Sequence, residues 1–460
     1  MNRKTNKKWI AAAVALTVAG GVAAAWALHH AQPAWSTASP EALAAFEAAE
    51  TAQSRLYFAD ARGHYLEAAR LDPDFVMPKL KLVWNREYLE AETREEMLAE
   101  LRHADREALT RRERFLLAYH LAALDGQGER ADELLAEYLE RRPDDPYAVE
   151  LDCNQHWLLS RWDAADDCYQ RLIEIDPNRL QAQNRIGYVG MATGDFETAE
   201  QQFEIYRYLA PDQANPYDSL GELMMITGRY RDAEAQMRRA IALKPDFCSS
   251  WRNLVRIRLL EGDPAGAEAV VEEMVATEGT GVCVENGRRQ QACELDLWRE
   301  LLERDWQAAA AKTDGCPNGH LAFLANTYAG QPEVAQAITA RLLQRIEQAG
   351  DRPPEVLVAL TELQRGTTAL HQGDAEAAVA HAEAADRHLL YWSLGDQWLL
   401  KLLNYRLLID AHEAAGQTEA AQRARAELAA INPRVSELPP IPAPEPPAVE
   451  ASAARRASLP

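Results

Sequence analysis

Three stretches of the chain hold residue types that do chemistry. Asp152-Cys153-Asn154-Gln155-His156, with Cys168 downstream, sets a thiol and an imidazole one helical turn apart, the material of a Cys/His zinc site. His412-Glu413-Ala414-Ala415-Gly416 begins like the H-E-x-x-H of a zinc protease. Asp218 and Arg252, and likewise Glu222 and Arg256, lie 34 residues apart and repeat carboxylates and guanidinium groups at a fixed interval. None of these closes into a reaction centre. The second histidine of the protease motif is replaced by Gly416. There is no G-x-x-x-x-G-K-[ST], no G-x-S-x-G, and no G-x-G-x-x-G after a strand. No catalytic residue, no metal and no cofactor are therefore expected. The charged pairs read better as an inter-repeat ladder than as a ligand set, each worth roughly 0–1 kcal/mol at a surface.

The 34-residue interval says more than the charges. GQGERAD (Gly126–Asp132), SRWDAAD (Ser160–Asp166), GDFETAE (Gly194–Glu200), GRYRDAE (Gly228–Glu234) and GDPAGAE (Gly262–Glu268) fall on one grid. Ala131, Ala165, Ala199, Ala233 and Ala267 keep it, and Pro143, Pro177, Pro211 and Pro245 each follow an alanine by twelve residues. Gly194, Gly228 and Gly262 suit a turn needing positive φ. The alanines let two helices approach closely, and the prolines stop the second helix. Asp145-Pro146 and Asn215-Pro216 read as an N-cap followed by proline at the first helical position. Each unit is then a helix–turn–helix hairpin that cannot bury its apolar face alone, whereas a stack can. On this register Cys153 aligns with Gly187 and Gly221, a small packed position with His156 on the same stripe, so a disulfide or buried thiol is favoured over a metal ligand.

This pattern, strongest in Gly187…Ala199…Phe203…Pro211 and Gly221…Tyr230…Ala233…Pro245, resembles the tetratricopeptide repeat (TPR) family. The resemblance implies an all-α fold, a right-handed α-solenoid of helical hairpins that binds proteins and carries no catalysis. Residues 112–280 form the regular array. Upstream, 41–111 keep a worn copy, with Ala61 and Pro73 at the twelve-residue offset and Thr110-x-x-Glu113 as a capping box. Downstream, Gly330, Gly373 and Gly416 lie 43 apart, with Ala335, Ala378 and Ala421 five residues after each, and Pro433 again follows an alanine by twelve. Residues 294–434 are thus a divergent segment with longer helices or linkers. Between the segments, 281–293 read as an interrupting Cys-containing loop within a polar, Gly-rich hinge, Thr277–Cys293. Residues 435–460 are proline-rich and expected to lack a packed core.

The N-terminus reads differently. Arg3, Lys4, Lys7 and Lys8 precede an uncharged run, Ile10–Leu28, and no Lys or Arg follows until Arg55. Nineteen helical residues span about 28 Å, close to the hydrocarbon thickness. Residues 1–28 are expected to be a basic stub and one transmembrane or signal helix, 29–40 a linker, and the repeat body is placed outside the cytoplasm. The expected location is a bacterial inner membrane, spanned through residues 10–28, with the body in the periplasm. The alternative is a soluble periplasmic protein after cleavage near Ala25-Trp26-Ala27. Export would permit disulfides. Cys153 and Cys168 flank one hairpin turn and could pair, Cys283 and Cys293 could staple the loop, and Cys248 and Cys316 remain. A net charge of −22 disfavours nucleic acid. No small-molecule substrate is expected.

In the TPR family the concave face is lined by one stripe of each first helix. Here that stripe is Tyr147, Glu150, Asn154, Trp157, then Gln181, Asn184, Tyr188, Met191, then Asn215, Asp218, Glu222, Met225, then Ser249, Arg252, Arg256, Leu259. Asn215 doubles as a helix cap. Aromatics beside Arg are the types that dominate interface energies. The expected partner is a protein or peptide with an apolar side chain near Trp157 and Tyr188 and mixed charge near Asp218–Arg256. Its setting would be a non-catalytic scaffold or adaptor of the cell envelope. The alternative is a periplasmic sensor arm acting through a separate membrane kinase or transcriptional regulator.

Overall fold

The computed structural model describes residues 34–281, 283, 297, 299–301, 303, 305–313, 319–349, 354–391 and 397–434. Ile10–Leu28, the expected tail 435–460, Cys293 and Cys316 lie outside the described residues. Among the described residues every regular element is a helix, and no helix is long and apolar enough to cross a membrane.

The helices come in hairpins. They are α1 (Pro40–Ser54) with α2 (Phe58–Leu71), α3 (Val76–Trp84) with α4 (Ala91–Arg102), and α5 (Arg111–Leu124) with α6 (Gly128–Arg141). Next are α7 (Pro146–Leu158) with α8 (Trp162–Ile175), α9 (Leu180–Thr193) with α10 (Phe196–Leu209), α11 (Ala214–Ile226) with α12 (Tyr230–Leu243), and α13 (Cys248–Leu260) with α14 (Pro264–Ala276). A short α15 (Trp306–Ala311) precedes α16 (Gly319–Tyr328) with α17 (Pro332–Ala349), α18 (Glu355–His371) with α19 (Ala375–Asp386), and α20 (Gln397–Ala414) with α21 (Thr418–Ile431). Two compact units divide after Asp152, inside α7 and so inside the stretch expected to be one array.

Local chemistry sets each hairpin. Residues Gly126, Gly194, Gly228, Gly262, Gly330, Gly373 and Gly416 all have φ between 70° and 83°, the left-handed conformation the turn needs. At the same grid position Ser160 adopts φ 53° without being glycine. Left-handed backbone costs a non-glycine residue about 1–2 kcal/mol. Ser160→Gly is therefore expected to stabilise the α7–α8 hairpin by about 0.5–1 kcal/mol after the entropy of the more flexible unfolded chain is subtracted, raising the urea midpoint with an unchanged slope. Four turns add an aspartate cap: Asp195, Asp263, Asp305 and Asp374 accept the backbone N–H of Thr198, Gly266, Ala308 and Ala377 at 2.8–3.1 Å. Pro73, Pro143, Pro177, Pro211, Pro245 and Pro433 stand two residues beyond the ends of α2, α6, α8, α10, α12 and α21. Thr110 and Glu113 form the expected capping box. Asn215 does not cap: α11 begins at Ala214, and the buried Asn215 side chain donates to the Tyr206 hydroxyl at 3.1 Å.

The 43-residue period lengthens helices. First helices α18 and α20 have 17 and 18 residues, against 13 or 14 in α7, α9, α11 and α13. The 281–293 stretch departs from the expected loop at its start, where Gly281 and Cys283 are helical.

In the unit ending at Asp152 the core runs from Trp35 and Phe46 through Tyr65, Phe75, Met77 and Leu80 to Leu117 and Leu135. In the other, one apolar core joins Met191, Phe203, Leu223, Met225, Met237 and Trp251 to Leu363, Tyr391, Trp398, Leu402 and Leu428. The C-terminal segment thus reaches the 34-residue repeats, with Tyr391 against Phe196 and Asn432 against Tyr230.

Candidate protein-binding site

Each 34-residue hairpin needs a small residue where its helices cross. A Cβ on Gly187 would lie 2.5 Å from the Phe203 ring, and one on Gly221 would lie 2.8 Å from Met237 Cε. Cys153 stands at the equivalent place in α7 and is bonded to Cys168 of α8, with Cα atoms 5.3 Å apart. The second disulfide joins Cys283 to Cys248 rather than to Cys293, with Cα atoms 5.2 Å apart. Cys283 is already helical and lies 35 residues after Cys248, at the first turn of α13, so the bridge ties points one repeat apart. The expected staple of a loop fails because the chain resumes helix there.

The expected stripe divides by exposure. Tyr147 belongs to the first unit, half-buried, edge-on to Trp35 at 5.3 Å with the Arg112 guanidinium 5.1 Å from its ring centre. Glu150 is half-buried. In the second unit Asn154 accepts the Tyr169 hydroxyl at 2.8 Å. Trp157 is only 4% exposed, edge-on to Trp162 and 5.0 Å from the Arg185 guanidinium. Gln181 donates to Tyr206 Oη at 3.4 Å. Asn184, Met191, Asp218, Glu222 and Met225 are buried, and Leu259 with them. Ser249 and Arg256 are half-buried, and Arg252 is exposed.

The polar members of the stripe knit successive first helices together. Tyr188 donates from its hydroxyl to Glu222 Oε2 at 3.0 Å, one full repeat onward, and its oxygen lies 3.4 Å from Ser219 Oγ. Ser250 donates to Asp218 Oδ1 at 2.6 Å. Burial pushes the Asp218 carboxyl above its ordinary range, opposed by hydrogen bonds from Ser250 and Ser249 and by the charges of Arg252 and Arg256. Burial, then the negative charges of Glu222 and Asp218, hold the Tyr188 hydroxyl well above its usual range. These inter-repeat links join carboxylates to hydroxyls, whereas the 34-residue charge spacing suggests carboxylates paired with guanidinium groups. The apolar contact expected at Trp157 and Tyr188 is instead made inside the protein, since Tyr188 packs edge-on against Phe203 at 5.1 Å. Accessible material on the stripe is thereby reduced to Gln181, Tyr188, Ser249, Arg252, Arg256 and the half-buried residues of α7.

Sequence reasoning also passed over an outward patch. Ile205, Tyr208 and Leu209 of α10 are 44%, 84% and 50% exposed. They share a face by their three- and four-residue spacing, opposite Ala199, Phe203 and Tyr206, which are buried. That second apolar face was the signal available in the sequence. Among the described residues no cluster of three or more His, Cys, Asp or Glu side chains could hold a metal ion.

Fold and stripe define a class, an all-helical protein of TPR-like hairpins. No family model and no curated protein matches the chain. Solved structures similar to it include the APC/C hetero-tetramer Cut9-Hcn1, at 13% identity and TM-score 0.46, covering 86% of this chain and 75% of that one. Yeast Tom70 gives 14% identity and TM-score 0.41, covering 83% and 90%. PilW, a type IV pilus biogenesis factor, gives 15% identity and TM-score 0.31, covering 50% and 91%.

Proposed function

We propose that this protein is a non-catalytic interaction scaffold of the bacterial cell envelope, held at the inner membrane through residues 10–28 with its repeat body in the periplasm. The observation that carries the reading is the combination of stacked helical hairpins with two disulfides, one within a hairpin and one between successive repeats. Stacked hairpins present long surfaces for a peptide or a protein partner. Disulfides persist in oxidising compartments, outside the bacterial cytoplasm. Gln181, Arg252 and Arg256 are among the stripe residues of regular repeats that keep exposed surface.

The test is photo-crosslinking in intact cells from single sites at Gln181 and Arg252, with exposed Arg231 of α12 as the outer-face control. A discrete adduct to one protein from the stripe sites is the expected result. Adducts only from Arg231 would move the binding face outward. An active alkaline phosphatase fused after residue 60 is expected alongside, and an inactive one would put the body in the cytoplasm. An adduct to a membrane kinase or transcriptional regulator would favour the sensor arm.

A further inference from the structure

The turn glycines are not equivalent. At Gly126, Gly262, Gly330, Gly373 and Gly416 an added Cβ would meet no atom of the described residues within 4 Å. At Gly194 it would lie 3.5 Å from the Tyr391 ring, and at Gly228 it would lie 2.4 Å from Asn432 Oδ1 and 3.4 Å from Pro433 Cδ. Two turns of the regular repeats therefore receive groups from about 200 residues further along the chain. Asn432 follows the last helix, α21, and has no exposed surface. Its Nδ2 donates to the Ile226 carbonyl at 3.0 Å and to Tyr230 Oη at 3.2 Å, and its Oδ1 accepts the Arg434 backbone N–H at 3.0 Å. The Arg434 guanidinium lies 5.6 Å from the Tyr230 ring centre and 3.8 Å from Glu261. Upstream, Tyr391 packs edge-on against Phe196 at 5.1 Å.

We propose that the α20–α21 hairpin is a latch: Asn432, Pro433 and Arg434 seat on the turn at residues 226–230, and their release opens the inner ends of α9 and α11 to a partner. The proposal rests on the scaffold reading and adds its regulation. Met191 and Met225, both on the expected stripe, stand three residues before Gly194 and Gly228 and have no exposed surface. They share one apolar core with Tyr391, Trp398 and Leu402. The turns that follow Met191 and Met225 are covered by Tyr391 and by Asn432 with Pro433.

The seat at Gly228 is made by a few directional contacts, which fix one closed geometry and are lost together.

The test uses the full chain with Met225→Cys as a reporter, labelled by a maleimide without reduction, the parent lacking the reporter serving as blank. Asn432→Ala and Gly228→Ala are each expected to raise the labelling rate at least tenfold with helical circular dichroism retained. Gly262→Ala, which strains an equivalent turn that meets none of the described residues, is expected to leave the rate unchanged. Equal acceleration in all three would assign the effect to turn strain and overturn the latch. No acceleration in Asn432→Ala would overturn it too. If Gly228→Ala does not fold, Asn432→Ala decides, because it leaves the turn intact. The readout needs no partner, so the latch stands or falls independently of the crosslinking test.

Discussion

Phe203→Ala is expected to destabilise the second unit by about 3–5 kcal/mol, the usual range for removing a fully buried aromatic ring. Phe203 has no exposed surface, fills the space over Gly187, and touches Tyr188 edge-on. The reciprocal change, Gly187→Val, puts its Cβ inside the ring and forces α9 and α10 apart, at about 1–3 kcal/mol or more. The two positions act as one unit, so Gly187→Ala with Phe203→Leu is expected to cost less than the sum of its parts. Urea unfolding of the four proteins measures this. Strict additivity would mean that the small residue and the ring are not packed as a pair.

The second large effect is on the disulfides. Cys153→Ser with Cys168→Ser opens a 15-residue closure and is expected to cost about 3 kcal/mol in the chain-entropy model. Cys248→Ser with Cys283→Ser opens a 35-residue closure and is expected to cost about 4 kcal/mol in the same model. Each should lower the melting temperature by several degrees, since about 1 kcal/mol shifts a domain of this size by roughly 2–4 °C. Peptide mapping without reduction checks the pairing. It should recover Cys248 joined to Cys283. A peptide joining Cys283 to Cys293 would restore the loop staple and contradict the helical start at Gly281.

What the sequence determined by itself is what a single hairpin determines. The 34-residue grid located the helices, because a turn glycine, a crossing alanine and a terminal proline each act within a few residues. Thr110 and Glu113 cap as read, for the same reason. Cys153 with Cys168 was legible because antiparallel neighbours across a short turn must lie side by side. Legibility fell off with separation. Cys248–Cys283 was missed by reading Thr277–Cys293 as a break in the stack, although 35 residues is one repeat plus one. Asn215 was read as a cap because Asn before Pro suits one, while the Tyr206 hydroxyl that takes its side chain belongs to the preceding hairpin.

Only the tertiary structure decided which stripe residues meet solvent. Sequence spacing put Met191 on the stripe face of α9 and Asp218, Glu222 and Met225 on that of α11, and it could do no more. Whether those faces are open depends on what covers them: Tyr188 and Ser250 of neighbouring repeats take Glu222 and Asp218, and Tyr391 and Asn432 return from far along the chain to the turns after Met191 and Met225. Nothing in the spacing around Gly228 distinguishes it from Gly262, yet one receives Asn432 and the other meets none of the described residues within 4 Å. Local steric and capping preferences repeat with the unit and leave a period in the sequence. A contact across some two hundred residues occurs once, and a contact made once leaves no period to read.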